Sequence, residues 1–162
     1  MAKQGIEEIR GLQTRVLTWL LHRFFFLTRG MTLGVRAACF DEEGRIFLVK
    51  HTYVPGWYMP GGGMERHETA TDALRKELRE EGNLEIRGEP ELFHVYYNRK
   101  VSKRDHVLFY RAHVAQTAPR VPDMEIAESG FFALDALPDD VTSATLRRLA
   151  EIRGDAAKAD HW

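Results

Sequence analysis

The segment from Pro60 to Leu84 constrains this chain more tightly than any other. Three consecutive glycines, Gly61, Gly62 and Gly63, precede a helical pattern over Thr69 to Glu81 whose apolar stripe is Ala70, Ala73, Leu74 and Leu78. Gly82-Asn83 then follows as a stop. A glycine run lets backbone groups approach a ligand closely because no Cβ stands in the way, but on its own such a run is most often a turn.

The helix adds a second oddity. Glu77, Glu80 and Glu81 crowd its last turn, where the macrodipole is negative and cations are favoured. Glu77 neighbours the other two at i+3 and i+4, so all three carboxylates converge on one edge, at about 0.2–0.5 kcal/mol per like-charge pair. A divalent cation reverses the sign of that term; hard oxygen ligands suit Mg2+, with Mn2+ as a substitute. Taken alone, the helix reads equally well as a solvated face on which Lys76 pairs with Glu80. The glycines placed directly before it tip the reading towards a site.

The spacing of the two features is Gly62, five residues, Glu68, seven residues, then Lys76-Glu77-Leu78-Arg79-Glu80-Glu81-Gly82-Asn83-Leu84. This run resembles the Nudix box, GX5EX7REUXEEXGU, where U is a bulky aliphatic residue. Seven of its nine specified positions match, and the departures are Lys76 for Arg and Asn83 for Gly. The resemblance implies an α/β fold, a Nudix-like α/β/α sandwich on a mixed β-sheet, extending in element order over Met31 to Ile152. It also implies a metal-dependent pyrophosphohydrolase that cleaves the phosphoanhydride bond of a nucleoside diphosphate linked to another moiety, of the nucleotide sugar, ADP-ribose or nucleoside triphosphate type. The alternative is a Nudix-like domain that has lost catalysis and serves as a nucleotide sensor or interaction module; retention of all three box glutamates argues against it.

Roles carry over with the resemblance. Glu77, Glu80 and Glu81 are expected as Mg2+ ligands, with the Gly61 carbonyl as a further donor, and Glu77 or Glu80 as a water-activating base. Lys76 is expected to pair with a box glutamate without the planar fork of an arginine, and Glu68 to support the helix start. Relatives often place the base outside the box. Glu125 and Glu128 precede an expected last strand, Gly130 to Leu134, and Glu128 is the candidate there.

Around this segment the pattern alternates strands and helices, as in an α/β domain. Met31 to Phe40 and Arg45 to Lys50 read as strands joined in a hairpin by the turn Asp41-Glu42-Glu43-Gly44, and Trp57 to Met59 as a short strand. Leu92 to Tyr97 and Val107 to Val114 form a long hairpin with a basic tip, on which Arg99, Lys103 and Arg104 are expected to hold a substrate phosphate; a solvated loop is the plainer use of such cations. Thr142 or Ser143 caps a terminal helix to Ile152. His51 and His106 read as structural histidines, because no nucleophile arrangement forms around them.

Ile6, Ile9, Leu12, Val16, Trp19, Leu20, Phe24 and Leu27 share one helical face. The domain division is therefore an amphipathic helix over residues 1–29, a Nudix domain over 30–153, and a frayed tail over 154–162. The helix is expected to pack on the domain or form a homodimer; attachment to a membrane surface through Trp19, Phe24, Phe25 and Phe26 is the other use of such a face. Its apolar stretch, Val16 to Leu27, is too short to span a bilayer.

With 23 Lys and Arg against 24 Asp and Glu, nothing in the overall charge calls for nucleic acid as a partner, and a small nucleotide-type molecule is the expected substrate. The single cysteine, Cys39, excludes an intramolecular disulfide framework and fits a reducing cytoplasm.

Overall fold

The computed structural model describes residues 15, 17–25, 27, 28 and 30–162. They fall into two compact units that divide between Met31 and Thr32. In the first, residues 17–25 are helical, as are 15, 27 and 28; the remainder of the expected helix, from Ile6, lies outside the described residues.

The second unit runs β1 (Thr32–Phe40), β2 (Ile46–His51), β3 (Trp57–Tyr58), α1 (Ala70–Gly82), β4 (Leu84–Tyr97), β5 (Asp105–Gln116), β6 (Ile126–Phe132) and α2 (Ser143–Arg153). The sheet order is β3-β2-β1-β5-β4, with β6 paired to β2. Alternation along the central strands supplies two cores. Val35, Ala37, Cys39, Phe47 and Val49 pack under α1 with Ala73, Leu74 and Leu78. Ala38, Phe40, Ile46 and Leu48 face the other way, with Leu149 of α2. The result is the expected α/β/α arrangement on a mixed sheet.

The expected β1–β2 hairpin is only a corner. The two strands meet at Phe40↔Ile46, while β1 pairs in parallel with β5 along its whole length, from Thr32↔Asp105 to Phe40↔His113. Because β2 leaves β1 so early, the β1 edge is free to take the glycine segment instead: Ala37 N donates to Pro60 O, Val35 N to Gly62 O and Met64 N to Leu33 O, at 3.0, 2.9 and 2.9 Å. That corner is what seats the glycines beside α1.

The expected frayed tail is also docked. Tyr97 N donates to Asp160 O at 2.8 Å and Trp162 N to Tyr97 O at 3.1 Å, so the tail extends the β4 edge. Trp162 stacks edge-on against Tyr96 and Phe109. Beneath it Arg148, fully buried, pairs with Glu151 at 2.6 Å and lies 3.9 Å from the centre of the Tyr96 ring.

At the end of α1, Asn83 itself takes the left-handed conformation, φ +52. Gly82 does not share that burden. Gly82 is nonetheless required, because a Cβ there would lie 2.7 Å from Phe47 Cε1 and 2.8 Å from Leu84 Cγ. Gly82→Ala is therefore expected to cost about 1–3 kcal/mol through overpacking. Asn83→Gly should be nearly neutral: it relieves the positive φ but loses the long Nδ2 bonds to Ala118 O and Pro119 O, both 3.3 Å. Urea denaturation of both variants ranks them, and a larger cost for Asn83→Gly would mean that the amide tether closes this turn.

Candidate active site

Thr69 caps α1, accepting from Asp72 N while Asp72 accepts from Thr69 N. One turn later, Lys76 Nζ reaches Glu68 Oε1 at 3.1 Å and Glu65 Oε1 at 3.2 Å, and Glu68 Oε2 accepts from Glu65 N at 2.7 Å. Lys76 thus pairs with a box glutamate despite replacing the arginine, and Glu68 ties the loop to the helix. Lys76 is committed to that loop, which leaves the last-turn carboxylates without it as an ion-pair partner.

Two of those carboxylates, Glu77 and Glu81, point at the glycines. Gly61 N donates to Glu81 Oε2 at 2.8 Å in a buried contact. Gly61 holds φ +137, and a Cβ there would lie 2.1 Å from Val35 O, so only glycine passes between β1 and α1. At Gly62 a Cβ would stand 2.5 Å from Glu77 Oε1; the missing side chain is the space that the Glu77 carboxylate occupies.

Glu77, Glu80 and Glu81 line a cleft of about 370 Å3, together with Arg120, Asp123 and Glu125. Burial raises the Glu81 carboxyl to about 7, opposed by the Gly61 N–H and by the charge of Arg36 and reinforced by Glu77 and Glu125. Burial also raises Glu77. His51, 8% exposed, sits with Nε2 3.6 Å from Glu81 Oε1, and its Nδ1 is buried without a partner. Burial lowers its pKa, so the ring is held towards the neutral form.

Glu128 does not join this group. The β2–β6 register shifts between Lys50 and His51, so Ile126 opposes His51 while Glu128 opposes Lys50. The bulge breaks the alternation: Ile126 packs in the α1-side core, whereas Phe132, in step with Glu128, packs in the α2-side core. Glu128 accordingly pairs with Lys50 Nζ at 3.6 Å, and Glu125 is the glutamate at the cleft. Arg99 lines a separate cleft with Tyr97, Lys100, His161 and Trp162, and Lys103 and Arg104 lie at the same hairpin tip, where their carbonyls accept from Tyr97 Oη and Thr32 N. The cation among the residues lining the acidic cleft is Arg120, which the sequence does not single out because it stands alone in a proline-flanked loop. Its Nε donates to Glu80 O at 2.7 Å, and its other nitrogens bind Val121 O and Asp123, fastening that loop to the end of α1.

The NUDIX domain profile matches residues 30–151. This chain belongs to the Nudix family. Among curated proteins it is similar to the RNA pyrophosphohydrolase of Xanthomonas campestris pv. campestris, 42% identical over 55 residues, or 34% of this chain and 27% of that protein; the chain spans only about a quarter of the length of such relatives. Among solved structures, the MutT NUDIX hydrolase from Burkholderia pseudomallei superimposes with a TM-score of 0.63 at 28% identity, covering 76% of this chain and 98% of that one. An ADP-ribose pyrophosphatase from Streptococcus suis gives 0.60 at 27% identity, covering 82% and 96%.

Nudix hydrolases use divalent metals, and the residues of this Nudix box fit one. A buried carboxylate and a half-buried one set against each other, both with raised proton affinity, are the electrostatic signature of a site that a hard cation relieves. The same burial predicts a pH signature without metal. A carboxyl raised from 4.5 to about 7 binds its proton more tightly folded than unfolded, so its stabilising effect is full below 4.5 and is lost as pH rises through 7. The loss is on the order of 3 kcal/mol. His51, lowered by burial, works in the opposite sense just below 6.5, so the wild type is best compared with Glu81→Gln. In chelator, the variant should gain melting temperature relative to the wild type between pH 5 and pH 8. A constant difference across that range would contradict the burial argument.

Proposed function

We propose that this protein is a metal-dependent Nudix pyrophosphohydrolase that cleaves the phosphoanhydride bond of a nucleoside diphosphate linked to another moiety. The observation that carries the reading is the convergence of Glu77, Glu80, Glu81 and Glu125 on one cleft, closed on its inner side by a glycine segment that admits backbone but no Cβ. Glu77, Glu80 and Glu81 would hold Mg2+, or Mn2+ in its place, with the Gly61 carbonyl beside them. When bound, the cation supplies charge neutralisation of the diphosphate and a water of lowered pKa.

The chain's own groups do the rest. Glu125, exposed at the rim, adds a fourth carboxylate to the cleft, Glu77 or Glu80 would activate the water, and buried Glu81 is fixed by the Gly61 N–H. Glu68 and Lys76 keep the loop before α1 in place. Arg120 holds the loop that carries Glu125, and Arg99, Lys103 and Arg104 are left for a distal part of a long substrate. A hydrolysis panel of nucleotide sugars, ADP-ribose, nucleoside triphosphates, dinucleoside polyphosphates and a triphosphate-ended RNA, read as released phosphate after coupling, tests the reading and names the substrate. Tight binding of one of these without cleavage would favour a sensor instead.

The division into an N-terminal helix, a Nudix domain and a tail belongs to the same proposal, as do a cytoplasmic location and a homodimer through the helix. Among the described residues no helix is long and apolar enough to cross a membrane. Deleting residues 1–28 is expected to change mass in light scattering while leaving turnover per site within about twofold, since no box residue lies there. Unchanged mass would remove the dimer, and liposome binding lost on truncation would replace it with membrane attachment.

A further inference from the structure

We infer that His51, with Glu81 and Glu125, completes a mixed nitrogen and oxygen cation site that selects a first-row transition dication, Mn2+ or Co2+, over Mg2+. The inference rests on the proposed metal-dependent reading and adds a ligand and a metal class to it. Ligand atoms of these three residues lie within 4.8 Å of one another. They come from three separately fixed elements: the end of β2, the last turn of α1, and the loop entering β6.

His51 is 8% exposed, yet neither ring nitrogen has a hydrogen bond among the described residues. Nδ1 is buried and unpartnered. Nε2 stands 3.6 Å from Glu81 Oε1, too far for a hydrogen bond, whereas two ligands each about 2.1 Å from one ion stand roughly 3.0–3.5 Å apart. At 3.6 Å the two groups stand just outside that range and within ion-pair distance, so a bound cation would have only to draw them slightly together, with Nε2 as the ligand nitrogen.

The backbone explains how the three meet. The register shift between Lys50 and His51 brings His51 opposite Ile126, and Thr52 fastens the two ends, its N donating to Glu125 O at 2.9 Å and its Oγ1 to Met124 O at 2.6 Å. The Tyr53 and Tyr58 rings flank the imidazole at 5.2 and 5.8 Å. An all-oxygen site accepts Mg2+ well. A neutral imidazole shifts preference to the transition ions, which bind nitrogen more strongly.

The test is calorimetric titration of the full chain with Mn2+ and with Mg2+ alone, paired with electron spin echo spectroscopy of the Mn2+ form. The wild type should bind Mn2+ at least about tenfold more tightly than Mg2+ and show imidazole nitrogen modulation. His51→Gln should abolish the modulation and weaken Mn2+ about tenfold or more while changing Mg2+ less than about threefold. His51→Phe, which keeps the ring between the two tyrosines, should behave the same way and controls for packing. Equal weakening of both metals, or tight Mn2+ binding without nitrogen modulation, overturns the role of His51 while leaving the hydrolase reading intact. Absence of any metal binding overturns both.

Discussion

Glu81→Gln is expected to lower turnover on the order of 10²–10⁴-fold while leaving the fold intact. The carboxylate is 5% exposed and its Oε2 accepts from Gly61 N at 2.8 Å. The amide oxygen of glutamine keeps that bond and nearly the same volume. What it removes is the buried carboxylate charge, whose proton affinity burial raises to about 7. An inactive variant that melts at or above the wild type at pH 8 in chelator would separate a functional charge from a structural one. A variant that loses stability and activity together would instead make Glu81 a strut for the glycine segment.

The largest expected effect on stability lies on the opposite side of the sheet. Glu151→Ala should cost about 3–5 kcal/mol, because it strands a fully buried guanidinium. Arg148 is 0% exposed and its Nη2 reaches Glu151 Oε1 at 2.6 Å. Glu151 also accepts from Tyr96 Oη at 2.5 Å and from Ala159 N at 3.1 Å, and Arg148 Nη1 donates to His161 O at 3.2 Å. One pair therefore joins α2, β4 and the tail. Removing both charges with shape-matched apolar residues, Arg148→Met with Glu151→Leu, should recover part of the loss, since no buried charge is stranded but Tyr96 Oη and Ala159 N lose their acceptor. Guanidinium denaturation of the single and double variants measures both quantities; a double variant as damaged as the single would mean that the network, and not the stranded charge, is what stabilises the docked tail.

The box was the legible part of the site, because its chemistry is local. Thr69 to Leu84 is one helix and its two ends, and helical spacing alone brings Glu77, Glu80 and Glu81 to one edge. The strands were legible as apolar runs, but their partners were not: nothing in Met31 to Lys50 signals that β1 pairs with β5 while its corner with β2 opens to admit Pro60 to Met64. The sequence favours Glu128 over Glu125, whereas the cleft takes Glu125, because the choice turns on a one-residue bulge opposite His51 that reverses which face each side chain takes. The basic tip drew attention by charge density, whereas lone Arg120 is placed at the cleft by its bond to the last turn of α1. The tail looked frayed because its anchor is a charge pair inside α2, and a buried Arg148 reads in sequence like any surface arginine.

The most direct measurement of the central claim is cleavage of the best panel substrate by the metal-stripped full chain, followed as Mg2+ is added back. No phosphomonoester product is expected in chelator, product returns with Mg2+ or Mn2+, and for Glu81→Gln turnover with either metal stays on the order of 10²–10⁴-fold below the wild type. Full cleavage in excess chelator, or undiminished cleavage by Glu81→Gln, would contradict the claim.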